Sequence, residues 1–119
     1  MQKDCSIYRI ADLIGKRWTI LILLELHKGS GSRKRYGELK ASLLGITPKM
    51  LSMRLKELSR QGLVKKSVNA VSFPIKSEYG LTASGRAFIP VITGMKGWTL
   101  KWKFKNEECK SMECGDCKY

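Results

Sequence analysis

Residues 45–64 read Gly45-Ile46-Thr47-Pro48-Lys49-Met50-Leu51-Ser52-Met53-Arg54-Leu55-Lys56-Glu57-Leu58-Ser59-Arg60-Gln61-Gly62-Leu63-Val64. This stretch predicts a helix and fixes its limits. Thr47 is a good N-cap, with a hydroxyl able to accept from an orphan backbone N–H. Pro48 then takes the first helical position, where a missing N–H costs nothing. Leu51, Leu55 and Leu58 recur at i, i+4 and i+7 and form one apolar stripe facing a core. Gly62 is suited to close the helix. On the side opposite the leucines fall Lys49, Met53, Lys56 and Arg60, with Ser52 beside them. Cations with little acid describe a helix presented to a polyanion; the plainer alternative is a solvated face. The stretch reads as the second half of a helix-turn-helix followed by entry into a wing.

Upstream, Gly45 makes the turn from a short helix packed through Tyr36, Leu39, Leu43 and Leu44. Before it, Arg33-Lys34-Arg35 is a run of three cations, suited to phosphate or simply to water. Lys28 to Ser32 is a turn segment. Lys16 to His27 is apolar nearly all round and reads as a central buried helix. A first helix, capped by Asp4 or Ser6, runs to about Ile14. Downstream, Val64 to Val68 is β-prone, and Ile75, Ser77, Tyr79 and Leu81 alternate with Lys76, Glu78 and Gly80. These segments form a hairpin whose cations are Lys65, Lys66 and Lys76. Thr82 or Ser84 caps a long last helix. On it, Phe88, Ile92, Met95, Trp98 and Trp102 share one broad apolar stripe. A lone monomer would expose much of that stripe. A dimer made by this helix and the first, with Ile7 contributing, is the economical arrangement; folding back onto its own domain is the alternative.

The motif from Gly45 to Val64 resembles that of the HxlR-type branch of the winged helix-turn-helix regulators, within the MarR-like superfamily. The resemblance covers roughly residues 5 to 102. It includes Ile14-Gly15-Lys16-Arg17-Trp18-Thr19-Ile20-Leu21-Ile22-Leu23, where the family usually has a second glycine at position 16. It also includes Arg35-Tyr36-Gly37-Glu38-Leu39 and Ser77-Glu78-Tyr79-Gly80-Leu81-Thr82-Ala83-Ser84-Gly85, with Ser77 in place of an apolar residue. The hairpin is about one residue longer than usual. The resemblance implies a mainly α fold with a small β-hairpin wing (α+β), dimerising through its N- and C-terminal helices. It implies a sequence-specific transcriptional regulator on double-stranded DNA. Some members use an N-terminal cysteine shortly before the first helix as a thiol-stress sensor, which places that role on Cys5.

Composition agrees with a polyanionic partner. The chain has 119 residues and a formal charge of +13. Residues 107–119 hold two cations against four acids, a net of −2, so the rest carries +15. Such a body attracts phosphate. Residues 1–106 are expected to form the DNA-binding and dimerisation domain, and 107–119 a Cys-containing tail. The longest apolar stretch, Trp18 to Leu26, is too short to span a bilayer, and a membrane partner is not expected. The polar start carries no targeting signal, so a cytoplasmic protein is expected. One histidine, no Gly-rich phosphate loop and no nucleophile–base motif make an enzyme the least supported class.

The expected division of labour follows. Thr47, Lys49, Ser52, Met53 and Lys56 contact base edges or the groove floor. Arg33, Arg35, Arg54, Arg60, Lys65 and Lys76 contact phosphate, which positions without specifying. A DNA-coating, chromatin-like protein without sequence preference is the alternative. Cys5, near a helix N-terminus, suits a thiolate or a small buried hydrophobe. The tail run Cys109-x4-Cys114-x2-Cys117 lies outside the family pattern. No cofactor is required, but with Cys5 as a fourth ligand these thiols can hold zinc; a thiol–disulfide switch and a reduced free tail are the other readings. An oxidant or small-molecule effector fits such a regulator.

Overall fold

A computed structural model describes residues 2–29, 33–69 and 76–117, and of Asn69 and Lys76 only the backbone. In chain order these form α1 (Ser6–Ile14), α2 (Arg17–His27), β1 (Arg33–Arg35), α3 (Tyr36–Ser42), α4 (Pro48–Arg60), β2 (Val64–Asn69), β3 (Lys76–Leu81), α5 (Ala83–Trp102) and α6 (Glu107–Ser111). A 3-10 turn, Cys114–Asp116, follows.

The central helix, α4, begins and ends as its sequence dictates. The Met50 N–H donates to Thr47 Oγ1 at 3.1 Å, and Pro48 opens the helix. At the far end Gly62 adopts φ +83°, where a Cβ would be strained. Its N–H donates to the Ser59 carbonyl at 3.2 Å, and the Leu63 N–H reaches back to the Leu58 carbonyl at 3.0 Å. These two bonds make a Schellman closure. Between α3 and α4, Gly45 turns the chain with φ +91°.

Leu51, Leu55 and Leu58 are buried against Ile22, Leu23 and Leu26 of α2 and Leu39 of α3. Leu43, Ile46, Leu63, Val64, Leu81, Ile89 and Ile92 complete the core. Two expectations are corrected here. Leu44 is 86% exposed rather than packed, since α3 ends at Ser42 and the chain turns away. Ile92, assigned to a dimer face, is only 4% exposed and belongs to the core of its own chain, because the first half of α5 packs on α2.

The three strands form one antiparallel sheet in the order β1-β3-β2. Arg33 pairs with Gly80 and Arg35 with Glu78; β2 pairs with β3 from Val64↔Leu81 to Asn69↔Lys76. The wing tip, where the extra residue was expected, lies outside the described residues. The sheet is welded to α5 at Thr82. Its hydroxyl donates to the Gly62 carbonyl (2.5 Å) and accepts from the Gly85 N–H (3.1 Å). Gly85 itself lies so close to the Leu63 carbonyl oxygen that a Cβ would stand 2.1 Å from it.

The N-cap of α1 is Cys5, not Asp4 or Ser6, and its side chain makes no cap bond. Asp4 instead pairs with Arg9 at 3.4 Å. No residue of α1 is buried, and Ile7, Tyr8 and Ile10 are exposed. The tail folds back on the body: the Gly29 N–H donates to the Gly115 carbonyl (3.2 Å), and Lys96 Nζ to the Met112 carbonyl (2.5 Å).

Candidate nucleic-acid interface

The outer face of α4 is exposed among the described residues. Lys49, Ser52, Met53, Lys56 and Arg60 are all exposed, as is Thr47, whose oxygen serves the helix cap. Because the leucine stripe is fully buried, rotation of α4 about its axis is fixed, and so is the outward direction of these side chains. A second tie reaches the same end of the helix. The Tyr36 hydroxyl donates to the Pro48 carbonyl at 2.9 Å and lies 3.3 Å from Ser52 Oγ. Tyr36 was expected only to pack; its hydroxyl holds the first turn of α4 and Ser52.

Arg54 is a correction. It was expected on phosphate, but it is 8% exposed, with NH1 2.7 Å from Glu57 Oε2. The helical spacing explains this. Position 54 lies three residues after Leu51 and four before Leu58, on the flank of the buried stripe. Glu57 also accepts from Lys16 Nζ at 2.8 and 3.0 Å. The hydrogen bond from Lys16 holds the Glu57 carboxyl below its ordinary 4.5; partial burial opposes this, and the charges of Lys16, Arg54 and Arg60 reinforce it. Lys16, at the position where a second glycine is usual, thus ties the start of α2 to α4.

The flanks add cations selectively. Arg33 and Arg35 share one exposed face of β1. Lys34 points the other way, onto Glu25 Oε2 at 3.3 Å, and Lys28 reaches Glu25 Oε1 at 2.9 Å. Glu25 is therefore a buried acid held by two lysines, a pairing that an apolar stretch of sequence gave no reason to expect. Lys65 and Lys66 are exposed on β2, with Lys66 Nζ 5.8 Å from the Tyr79 ring centroid. Lys76 is placed in β3, but its side chain lies outside the described residues.

The thiols are distributed differently from expectation. All four cysteines are free and half-buried. Cys109, Cys114 and Cys117 line one cavity of about 420 Å³ with Trp18, Leu24 and Ile92, and Cys5 is not among its lining residues. Among the described residues no three His, Cys, Asp or Glu side chains are gathered to hold a metal ion. Of the four thiols expected to hold zinc, the tail turns Cys109, Cys114 and Cys117 onto α2 and α5, while Cys5 stands at the head of α1. On α5, Met95, Trp98 and Trp102 are exposed beyond the buried Ile92, and Phe88 packs at the edge of the core.

Comparison with known proteins places the fold in a family. A model of the HxlR-like helix-turn-helix family matches residues 13–107. The chain is 36% identical over 94 residues to the HTH-type transcriptional regulator YvaP of Bacillus subtilis, covering 79% of this chain and 83% of that one. Its structure is similar to that of the reduced form of the transcriptional regulator YodB from B. subtilis. The TM-score is 0.74 at 34% identity, with 89% and 99% of the two chains covered. It is also similar to the redox regulator HypR in its oxidized form, with a TM-score of 0.72 at 30% identity, covering 84% and 99%. No helix among the described residues is long and apolar enough to cross a membrane.

Proposed function

The chain belongs to the HxlR-like helix-turn-helix family and is a DNA-binding transcriptional regulator, and from that premise we propose that it acts as a homodimer on a roughly palindromic operator. Two α4 helices enter successive major grooves about 34 Å apart. The observation that carries this reading is the exposed face of α4, set opposite a buried leucine stripe and held at its first turn by Tyr36. Lys49, Ser52, Met53 and Lys56 meet base edges, with Thr47 at the groove floor. Arg33, Arg35, Arg60, Lys65 and Lys76 meet phosphate. Arg54, buried against Glu57, is not in that set.

The dimer reading rests on two apolar faces without cover in one chain: Ile7 with Tyr8 and Ile10 on α1, and Met95, Trp98 and Trp102 on α5. The second half of the proposal is thiol responsiveness, with Cys5 at the head of α1 as one reactive site. It is supported by the likeness to YodB and HypR, which have been described in reduced, diamide-treated or oxidized forms. Modification at the head of α1 would act on α4 through the α1–α2 junction and the Lys16–Glu57 bond.

Two variants test the DNA reading. Lys56→Ala is expected to weaken binding to the gene's own upstream region while leaving random DNA nearly unaffected, at a cost of about 1–3 kcal/mol. Lys65→Ala should weaken both to the same degree. Equal losses on both DNAs for both variants would refute the sorting and favour a DNA-coating protein. The thiol reading is tested by comparing reduced and diamide-treated protein on the same DNAs at fixed salt; unchanged affinity removes it.

A further inference from the structure

The tail cysteines are not equivalent. The 3-10 turn Cys114–Asp116 is closed by a bond from the Cys117 N–H to the Cys114 carbonyl, at 3.3 Å. A bonded turn of this kind holds its first and fourth Cα atoms within roughly 7 Å, comparable to the span that a disulfide bridges. A 3-10 helix repeats every three residues, so side chains at i and i+3 eclipse. Cys114 opens the turn and Cys117, its extended C-cap, stands one repeat further on, and both line the cavity against α2. Cys109 is separated from them by extended backbone at Met112 and Glu113.

We infer that Cys114 and Cys117 form a dithiol which a two-electron oxidant closes into a disulfide within the tail, a modification site separate from Cys5. With diamide the balance is complete. Each thiol gives up one proton and one electron, both S–H bonds break and one S–S bond forms. The azo N=N takes both hydrogens and becomes a hydrazine.

The location gives the bond a consequence. The turn it would close is the one that moors the tail. Gly115, inside it, accepts from the Gly29 N–H just past α2 and lies against the His27 ring, where a Cβ would meet Nε2 at 3.4 Å. Met112, two residues upstream of Cys114, accepts from Lys96 of α5. Closing the ring removes undocked conformations of the turn and so favours the docked tail. Oxidation therefore locks the tail over the cavity between α2 and α5. Any effect on DNA binding rests on the thiol-responsive reading above; the pairing itself does not.

Trypsin resolves the question, because Cys5, Cys109 and the Cys114/Cys117 pair fall in separate peptides, 4–9, 106–110 and 111–118. The full chain is treated with diamide, alkylated, digested and weighed. Peptide 111–118 is expected to lack two hydrogens and carry no alkyl group, in the wild type and equally in Cys5→Ser and Cys109→Ser. Native cleavage after Lys110 should slow by about threefold or more on oxidation, and should not slow in Cys114→Ser. Peptide 111–118 alkylated at both thiols, or cross-linked to 4–9 or 106–110, overturns the inference. DNA binding is measured on the same samples. A closed pair with unchanged binding keeps the inference and sinks the thiol-responsive reading; altered binding with an open pair does the reverse.

Discussion

Two polar side chains tie α4 to its neighbours. The Tyr36 hydroxyl bridges the Pro48 carbonyl and Ser52 Oγ. Tyr36→Phe keeps the ring and loses only this tie, worth about 1 kcal/mol. Operator affinity should fall roughly fivefold while random DNA is bound as before; an unchanged operator isotherm would remove Tyr36 from the positioning of Ser52. Glu57 gathers Lys16 and Arg54, and its carboxyl titrates below 4.5 in the folded chain. A depressed folded value means that the ionised group stabilises the fold above about pH 4.5. That contribution is lost as the pH falls through the lower folded value. In Glu57→Gln the melting temperature should be lower at neutral pH and decline less steeply on the acid side. Parallel acid limbs for the two proteins would show that Glu57 does not carry this dependence. Neither residue was assigned these roles from sequence: Lys16 and Glu57 are 41 residues apart, and no local periodicity joins them.

The elements depend on a few close approaches. Where the wing meets α5, the Gly85 position has no room for a methyl group, since a Cβ would lie 2.1 Å from the Leu63 carbonyl oxygen. Gly85→Ala must push β2 away from α5 and should cost about 1–3 kcal/mol. Gly37, in α3, has open space around its missing Cβ, and Gly37→Ala should be neutral or stabilising by up to about 1 kcal/mol. Thermal denaturation of both variants checks the contrast; equal melting temperatures would mean that the Leu63–Gly85 contact yields freely. The caps of α4 were legible in Thr47, Pro48 and Gly62, because capping is decided within four or five residues. Gly85, three residues after Thr82, was legible as a pattern, but its reason, the Leu63 carbonyl just ahead of β2, was not.

At the scale of the whole molecule, α1 and the end of α5 leave tryptophans and isoleucines uncovered. In the dimer reading, Trp98→Glu should shift sedimentation from a two-chain to a one-chain mass, with operator binding reduced more than binding to random DNA. A wild-type chain that sediments as a monomer at micromolar concentration would sink that reading. Local features were legible in the residues alone: the extent and inward face of α4, the turn at Gly45, the two wing strands and the basic character of the body. These follow from spacing, capping and charge, which act over one or two turns of chain. Which neighbour covers each face follows from the packing. It turned Arg54 inward to Glu57, gave Glu25 to Lys28 and Lys34, and placed Ile92 in the core while leaving Leu44 outside. It also laid the tail cysteines on α2 without Cys5. An apolar or charged stripe states that a face needs a partner; the identity of that partner is set by packing between segments distant in sequence, which periodicity does not encode.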